Sequence, residues 1–213
     1  EVVSAAVRHN FLSDGMNTRS AAAAVPVGFG GIALSFIHFG DADYSEQCLS
    51  LAYAIPLSGN ISLGAAFLYL RSATSDPYYD PLNRLTFSVA MRYSPTNDLS
   101  LAFRAFNPIA ALSDNEEGMH SPAIFALGAS YSVTDELLLA AEVEKNLFYD
   151  ATLRLGLQYC FLKNYFARIG IATQPALYSF GFGAKWDHLE ADLAFQFCSP
   201  LGPAPLLSTS YSF

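Results

Sequence analysis

The sequence predicts an all-β protein: a single-domain, closed antiparallel transmembrane β-barrel of about 14 strands, arranged as an up-and-down meander over residues 1–213. Three observations predict this class. The composition is oily, with 52% hydrophobic and 14% charged residues, whereas soluble domains carry about 25% charged residues. Apolar and polar residues alternate along most of the chain, as in strands with one oily face. Short and long connections also alternate, as in outer-membrane barrels.

The alternation is clearest over residues 151–161, where Leu153 and Leu155 fall on one face and Arg154 on the other. A soluble β-sandwich alternates too, but its outer face usually carries many Lys and Glu. Here the polar faces carry Gly, Ala, Ser and isolated charges, which suit the crowded interior of a barrel. Aromatic residues such as Tyr178 lie near strand ends on the oily face, as in an interfacial girdle. These features favour a barrel over a sandwich.

Fourteen strands are predicted, with boundaries uncertain by a few residues. The predicted segments are Val2–Asn10, Ser20–Val27, Gly31–Phe39, Ser45–Ile55, Ile61–Ser72, Arg84–Ser94, Asp98–Asn107, Ala123–Val133, Glu136–Leu147, Ala151–Phe161, Tyr165–Thr173, Leu177–Asp187, Leu189–Cys198 and Leu206–Phe213. Connections after even-numbered strands are tight, and most connections after odd-numbered strands are long. An outer-membrane barrel has short periplasmic turns and longer extracellular loops, so this rhythm supports the count.

One segment also has the length of a membrane-spanning helix. Residues 20–39 carry no charged side chain, and a spanning helix needs about 20 apolar residues. Pro26 and the cluster Gly28–Gly31 would break such a helix but suit a hairpin turn. The segment is therefore predicted to form two strands.

Charged residues are predicted to point into the barrel. A net charge of -8 and a pI of about 4.8 exclude a nucleic-acid binder. Two interpretations of the inward charges stay open: a polar permeation path or ligand pocket, and a packed interior of satisfied ion pairs without a through-channel, which we favour. The inward set is Arg8, Glu46, Arg84, Arg92, Arg104, Glu142, Glu144, Arg154, Arg168, Lys185, Glu190 and Asp192.

No catalytic, metal or cofactor site is predicted. Cys48, Cys160 and Cys198 lie on non-adjacent predicted strands and lack metal-site spacing, so we expect three small buried thiols. His120 and Ser121 are contiguous, but neighbours on an extended segment point in opposite directions, which disfavours a nucleophile–base pair. The protein is therefore predicted not to be an enzyme.

The last strand carries a further pattern. Leu207, Thr209, Tyr211 and Phe213 alternate with serines, and Phe213 is the last residue. This pattern resembles the C-terminal β-signal read by outer-membrane assembly machinery. Glu1 is not preceded by a basic start and an apolar region, so we expect the given sequence to be a mature form or to lack its N-terminus.

Several segments resemble Bacteroidota outer-membrane proteins of the PorV/PorQ type. The resemblance rests on the dipeptide Asn107–Pro108 within Arg104–Pro108, on Leu153–Tyr159 followed by Ala167–Gly170, and on Ser179–Lys185, Glu190–Phe195 and Ser208–Phe213. It covers the C-terminal half well and the N-terminal half only in strand order. It implies a fourteen-strand barrel similar to the FadL transporters, here without the N-terminal hatch region.

The resemblance also implies a function. PorV-like proteins are accessory barrels in type IX secretion, so we expect a non-enzymatic partner subunit of an envelope machine for protein secretion or outer-membrane protein assembly. It would lie in the outer membrane of a Gram-negative bacterium and contact lipid and other outer-membrane or secreted proteins. Candidate docking residues are Tyr78, Tyr79, Asn107 and Pro108. The alternatives are a FadL-like passive transporter of small hydrophobic molecules and a lipid hydrolase.

Overall fold

The structure, a computed structural model, describes residues 1–12, 15–111, 122–199 and 201–213. Fourteen antiparallel strands form a closed barrel in which each strand pairs with its neighbours in sequence and the first pairs with the last. This confirms the predicted fold. The strands are β1 Val2–His9, β2 Asn17–Val27, β3 Gly30–Gly40, β4 Tyr44–Pro56, β5 Ile61–Thr74, β6 Leu82–Tyr93, β7 Leu99–Phe106, β8 Ile124–Ser132, β9 Leu137–Asn146, β10 Thr152–Phe161, β11 Tyr165–Ala172, β12 Leu177–Trp186, β13 Leu189–Cys198 and β14 Gly202–Ser212.

Helical structure in the described ranges is limited to two short 3₁₀ segments, Asn10–Leu12 and Pro108–Ala111. No helix there is long and apolar enough to cross a membrane. The segment predicted to form two strands rather than a spanning helix lies within β2 and β3.

The largest difference from the predicted strand boundaries is at β14, which begins at Gly202 rather than Leu206. Pro203 and Pro205 made this stretch look like a loop. Residues 202–205 pair with β13 alone, because the β1 ladder reaches no further than the pair Arg8–Leu206. A strand edge without a partner tolerates proline, since no ladder hydrogen bond is lost there.

The two faces of the sheet differ sharply in composition. Large apolar side chains cover the outer face, where Phe67 is 72% exposed, Leu85 82% and Phe182 61%. The described buried hydrophobic residues are all small: Ala105, Ala123, Ala126, Cys198 and Ala204. Most of the large apolar side chains thus point away from the lumen, where lipid would cover them.

The barrel wall steps down in height between β6 and β7. The ladder between these strands joins residues 88–93 to residues 101–106, so the first half of β6 pairs with β5 alone. Asn107 ends β7 with a positive φ of 48° and donates its N–H to the carbonyl of Phe87 at 2.8 Å. The 3₁₀ segment at Pro108 then leads the chain away from the ladder.

Candidate functional site in the barrel lumen

The strand register places all twelve charged residues predicted to face inward on one side of the sheet. Directly paired residues of antiparallel strands share a face. Arg154 pairs with Glu142, and Lys185 pairs with Glu190. When such pairs are followed from strand to strand around the closed barrel, the other members of the set fall on the same face. This side lines the lumen, because its residues surround the interior cavities described below.

Four of these charged residues form one connected network on β7, β9 and β10. Arg154 donates to Glu142 at 2.6 Å and to Glu144 at 3.0 Å. Arg104 donates to the other oxygen of Glu144 at 3.2 Å. Glu144 is the most shielded member, with its side chain 19% exposed. The two arginines and two glutamates neutralise one another.

A second network lies on β10, β11 and β13 around Arg168. This guanidinium bonds to Asp192, to Glu190 at 3.3 Å and to the Gln158 side-chain oxygen at 2.7 Å. It also lies over the Phe166 ring, 5.4 Å from its centroid. The bond to Asp192 passes over β12, which is possible because β12 has glycine between them. Arg168 therefore links strands that are not direct neighbours.

The other charged lumen residues are not part of these two networks. Glu46 accepts a hydrogen bond from the Tyr44 hydroxyl at 2.5 Å. Arg92 donates its Nε–H to the Ser100 hydroxyl at 2.8 Å. The Nε of Arg8 is buried and has no hydrogen-bond partner among the residues that the structure describes. Arg84 lies with Glu46 in the wall of a small cavity, and Lys185 joins no ion pair of the described residues.

Two cavities that share part of their walls occupy the middle of the lumen. The larger has a volume of about 730 Å³ and the smaller about 410 Å³. Both are lined by Arg92, Ala102, Gly128 and Glu142, so they meet at β6–β9. A further cavity of about 470 Å³ near the β9–β10 loop shares Arg154 with the larger one. The lumen therefore holds connected open space beside the ion pairs.

A cavity of about 300 Å³ near the β3–β4 and β5–β6 loops was not predicted from the sequence. Its inner walls include the apolar residues Ile37, Phe39, Leu70 and Leu82. The inward face was predicted to be small or polar, so these large apolar residues were not predicted to line a cavity. The alternation along β3 could have identified them as inward-facing, because Ile37 and Phe39 follow the inward Ser35 at every second position.

The inner face divides into two regions. We call the inner faces of β2–β6 the small wall, because most of their middle positions are Ala, Ser and Gly, with Arg84, Arg92 and Glu46 near strand ends. We call the inner faces of β7–β13 the charged wall, because most of the inward charges lie there. Most of the ion pairs thus lie on one side of the lumen, and the larger cavity lies against the same strands.

The other predicted site residues lie away from the lumen. Tyr78 and Tyr79 are 92% and 68% exposed in the β5–β6 loop, whereas Asn107 and Pro108 turn the chain at the end of β7. Along the end of β14, Leu207, Thr209, Tyr211 and Phe213 face outward, with Leu207 61% and Phe213 72% exposed. Their roles in docking and in assembly stay predictions.

Groups able to catalyse or to hold a metal are scarce. Across the described ranges no cluster of His, Cys, Asp and Glu has metal-site geometry. Cys48, Cys160 and Cys198 are all free thiols. The predicted His120–Ser121 pair lies outside the described residues.

A closed 14-strand meander with an oily outer face and a charged, hollow lumen has the architecture of an outer-membrane β-barrel. No protein-family model matches the sequence, and no curated protein matches it. Solved structures do match over the whole of this chain. A Pseudomonas aeruginosa FadL homologue superposes with a TM-score of 0.72 at 13% identity, over 90% of its own chain.

Two further structures are similar. The Pseudomonas putida toluene transporter TodX gives a TM-score of 0.71 at 9% identity over 89% of its chain, and the CymD monoaromatic hydrocarbon channel gives 0.70 at 11% over 87%. Both matches cover all of this chain. At such low identity they show the fold alone, which is that of FadL-like barrels. The FadL-like fold expected from the resemblance is thus confirmed, whereas membership of the PorV/PorQ group stays a prediction.

Proposed function

We propose that this protein is a FadL-like outer-membrane channel of a Gram-negative bacterium that passes small hydrophobic molecules without reacting with them. The observation that carries the proposal is the hollow lumen. The smaller of its two joined cavities lies against small residues such as Ala54, Gly64 and Ala126, and the larger continues along Gly156 and Gly170. These small side chains leave space for an apolar solute beside the paired charges.

The outer surface supports the membrane location. Exposed large apolar residues occur on every strand, and aromatic residues such as Tyr178 and Trp186 lie at strand ends. A soluble barrel would lose solubility with an apolar surface this large, whereas a lipid-facing barrel requires one. The transporters with a similar fold include, by name, a toluene transporter and a monoaromatic hydrocarbon channel, which suggests the size of solute to test.

The test is uptake of radiolabelled toluene by a Gram-negative host with and without the protein. The outer membrane of such a host slows hydrophobic molecules, so a functional channel raises the initial rate of entry. Ala102→Trp places a large ring on the wall that both lumen cavities share. We expect this variant to abolish most of the added uptake.

The matched control is Ala65→Trp, which adds the same ring to the lipid-facing side of β5. It should leave the added uptake unchanged. Equal uptake in cells with and without the protein, at matched outer-membrane levels, would contradict the proposal. So would equal loss in the two tryptophan variants.

A role as an accessory subunit in secretion is the second candidate, and the exposed pair Tyr78 and Tyr79 is the feature that favours it. Two adjacent exposed aromatic side chains are typical of contact sites between proteins. Crosslinking in intact cells followed by mass spectrometry tests this role. It should yield one envelope protein whose capture is lost in a Tyr78→Ser, Tyr79→Ser double variant, and crosslinks to lipid-facing neighbours alone would contradict it.

A further inference from the structure

A row of polar side chains crosses the outer face of β2–β6, close to the end of the barrel that carries the long loops. Directly paired residues of antiparallel strands share a face. The paired residues that form this row, which we call the outer polar row, are Arg19, His38, Gln47, Arg71 and Asn83. They alternate with the inward residues Glu46, Leu70 and Arg84 and therefore point outward. Each of these side chains can donate an N–H hydrogen bond, and none is acidic.

The two arginines of the outer polar row have no anion of the protein beside them. Arg19 and Arg71 are exposed, and no carboxylate oxygen of the described residues lies within 4.0 Å of either guanidinium. The carboxylates of the neighbouring loop bond elsewhere. Asp41 accepts two backbone N–H groups of its own loop at 3.0 and 3.3 Å, and Asp43 accepts the Ser75 hydroxyl at 3.4 Å. The row therefore presents two positive charges to its surroundings.

The outer polar row lies where the apolar outer face of these strands ends. One row closer to the short turns, the outward residues include Phe36, Leu49, Tyr69 and Leu85. The Tyr69 hydroxyl donates to the side-chain oxygen of Asn83 at 2.7 Å, so its ring lies with the apolar residues and its polar end meets the row. Tyrosine takes this orientation at the boundary between lipid chains and head groups. Because the long loops of such barrels are extracellular, the row faces the head groups of the outer leaflet.

The other side of the barrel differs at the same end. On β10–β13 the corresponding row of outward residues is Leu155, Ile171, Tyr178 and Phe197. All four are exposed and none carries a charge. Unpaired cations are therefore a feature of one side of the outer surface and not of the whole rim.

We propose that the outer polar row binds the phosphorylated head group of lipopolysaccharide, the glycolipid of the outer leaflet, through Arg19 and Arg71. A guanidinium presents paired N–H donors that suit a phosphate, and such charge-assisted bonds are stronger than neutral ones. Basic residues at the membrane surface also attract anionic head groups. The inference goes beyond the proposed function, because it rests on the outer-membrane location alone and not on the passage of solutes.

The length of the row suits a head group with two phosphates. Arg19 and Arg71 lie on β2 and β5, three strand spacings or about 14 Å apart. Lipid A, the membrane anchor of lipopolysaccharide, is a disaccharide with a phosphate at each end. His38 and Gln47 lie between the two arginines and offer N–H donors to the sugar hydroxyl groups.

The experiment measures lipid binding to the purified barrel in a non-ionic detergent by native mass spectrometry. The probes are lipid A with both phosphates, monophosphoryl lipid A and phosphatidylglycerol. We expect lipid A to bind about tenfold more tightly than either of the other two, the low end for a bond to a charged group because both arginines are exposed. Raising the salt concentration should weaken this preference. Millimolar inorganic phosphate should not displace lipid A, since it lacks the acyl chains.

Two double variants locate the effect. Arg19→Gln with Arg71→Gln should remove the preference for lipid A over monophosphoryl lipid A. The matched control is Lys145→Gln with Lys163→Gln, which removes the same charge from exposed positions outside the row and should retain the preference. Heat-modifiable migration on gels verifies that each variant is folded.

The outcomes separate this proposal from the proposed function. Equal affinity for the two forms of lipid A, or equal loss in the two double variants, would show that the lipid site is wrong. Complete displacement by inorganic phosphate would overturn it too, because the site would then hold free phosphate and not a lipid. The arginine double variant should leave the added toluene uptake unchanged at matched outer-membrane levels. If lipid A binds as expected but the protein adds no uptake, the channel alone is wrong.

Discussion

The small wall and the charged wall build the same lumen in different ways. The strands of the small wall contain 11 to 14 residues, whereas those of the charged wall contain 8 to 10. The small wall has mostly Ala, Ser and Gly at its middle positions, and its inward side chains form no ion pair across these strands. The charged wall adds ion pairs that reach across one or two strands.

The difference teaches how a barrel groups its inward charges. Charged side chains facing a lumen need partners, because unpaired charges in a partly shielded interior are costly. Placing most of them on one wall lets them pair with one another. The opposite wall then carries few charges, and its small residues line part of the smaller cavity. The following predictions test this division.

Removing the central arginine of the second network should lower the free energy of unfolding more than the other changes below. Arg168→Met leaves Asp192 and Glu190 without their cation. We expect the free energy of unfolding to fall by about 2 kcal/mol, less than for a fully buried pair because 36% of the Arg168 side chain is exposed. Urea unfolding in lipid vesicles, followed by the fluorescence of Trp186, measures it. Arg19→Met is the matched control, and an equal loss in both variants would contradict the role of the network.

Adding a side chain at Gly183, the position on β12 over which Arg168 reaches Asp192, should cause the next largest loss of stability. A Cβ on Gly183 would collide with the Asp192 carboxylate and approach Arg168 Nη1 at 3.2 Å. We expect Gly183→Ala to cost about 1 kcal/mol in the same unfolding assay, as overpacking does. Gly156→Ala, on the same wall, meets its nearest atom at 3.9 Å and should be neutral. A tolerated alanine at position 183 would show that the pair relaxes easily.

Neutralising a glutamate of the first network should lower stability to a similar or smaller extent. Glu144→Gln weakens two ion pairs, and we expect the free energy of unfolding to fall by about 1 kcal/mol because these groups are partly exposed. The same urea unfolding assay measures this loss. An unchanged free energy of unfolding would mean that the first network does not stabilise the barrel.

Substitutions in a loop outside both walls should have the smallest effect on stability and on uptake. The double variant Tyr78→Ser, Tyr79→Ser alters an exposed loop beyond the small wall. We expect a change in stability within about 0.5 kcal/mol, as for most surface substitutions, and unchanged toluene uptake. Lower uptake would show that this loop belongs to the path of the solute.

The strands and their order were predictable because the signals are local. A period of two reveals a strand wherever one face is oily, and connection lengths reveal the count. The prediction failed where proline is tolerated for a non-local reason, as at Pro203 and Pro205 in β14, which have a partner strand on one side alone. Asn107 and Pro108, which were predicted as docking residues, lie where β7 ends, and their role in docking stays a prediction.

The amino-acid sequence by itself determined that this protein is a barrel and which side chains face inward, because alternation along one strand is independent of the other strands. The tertiary structure alone decided which inward charges meet. Arg168 reaches Asp192, 24 residues away, past the glycine of an intervening strand, and Arg92 faces open space although glutamates lie nearby. Such contacts depend on the stagger of fourteen strands around a closed circle, which no single segment encodes.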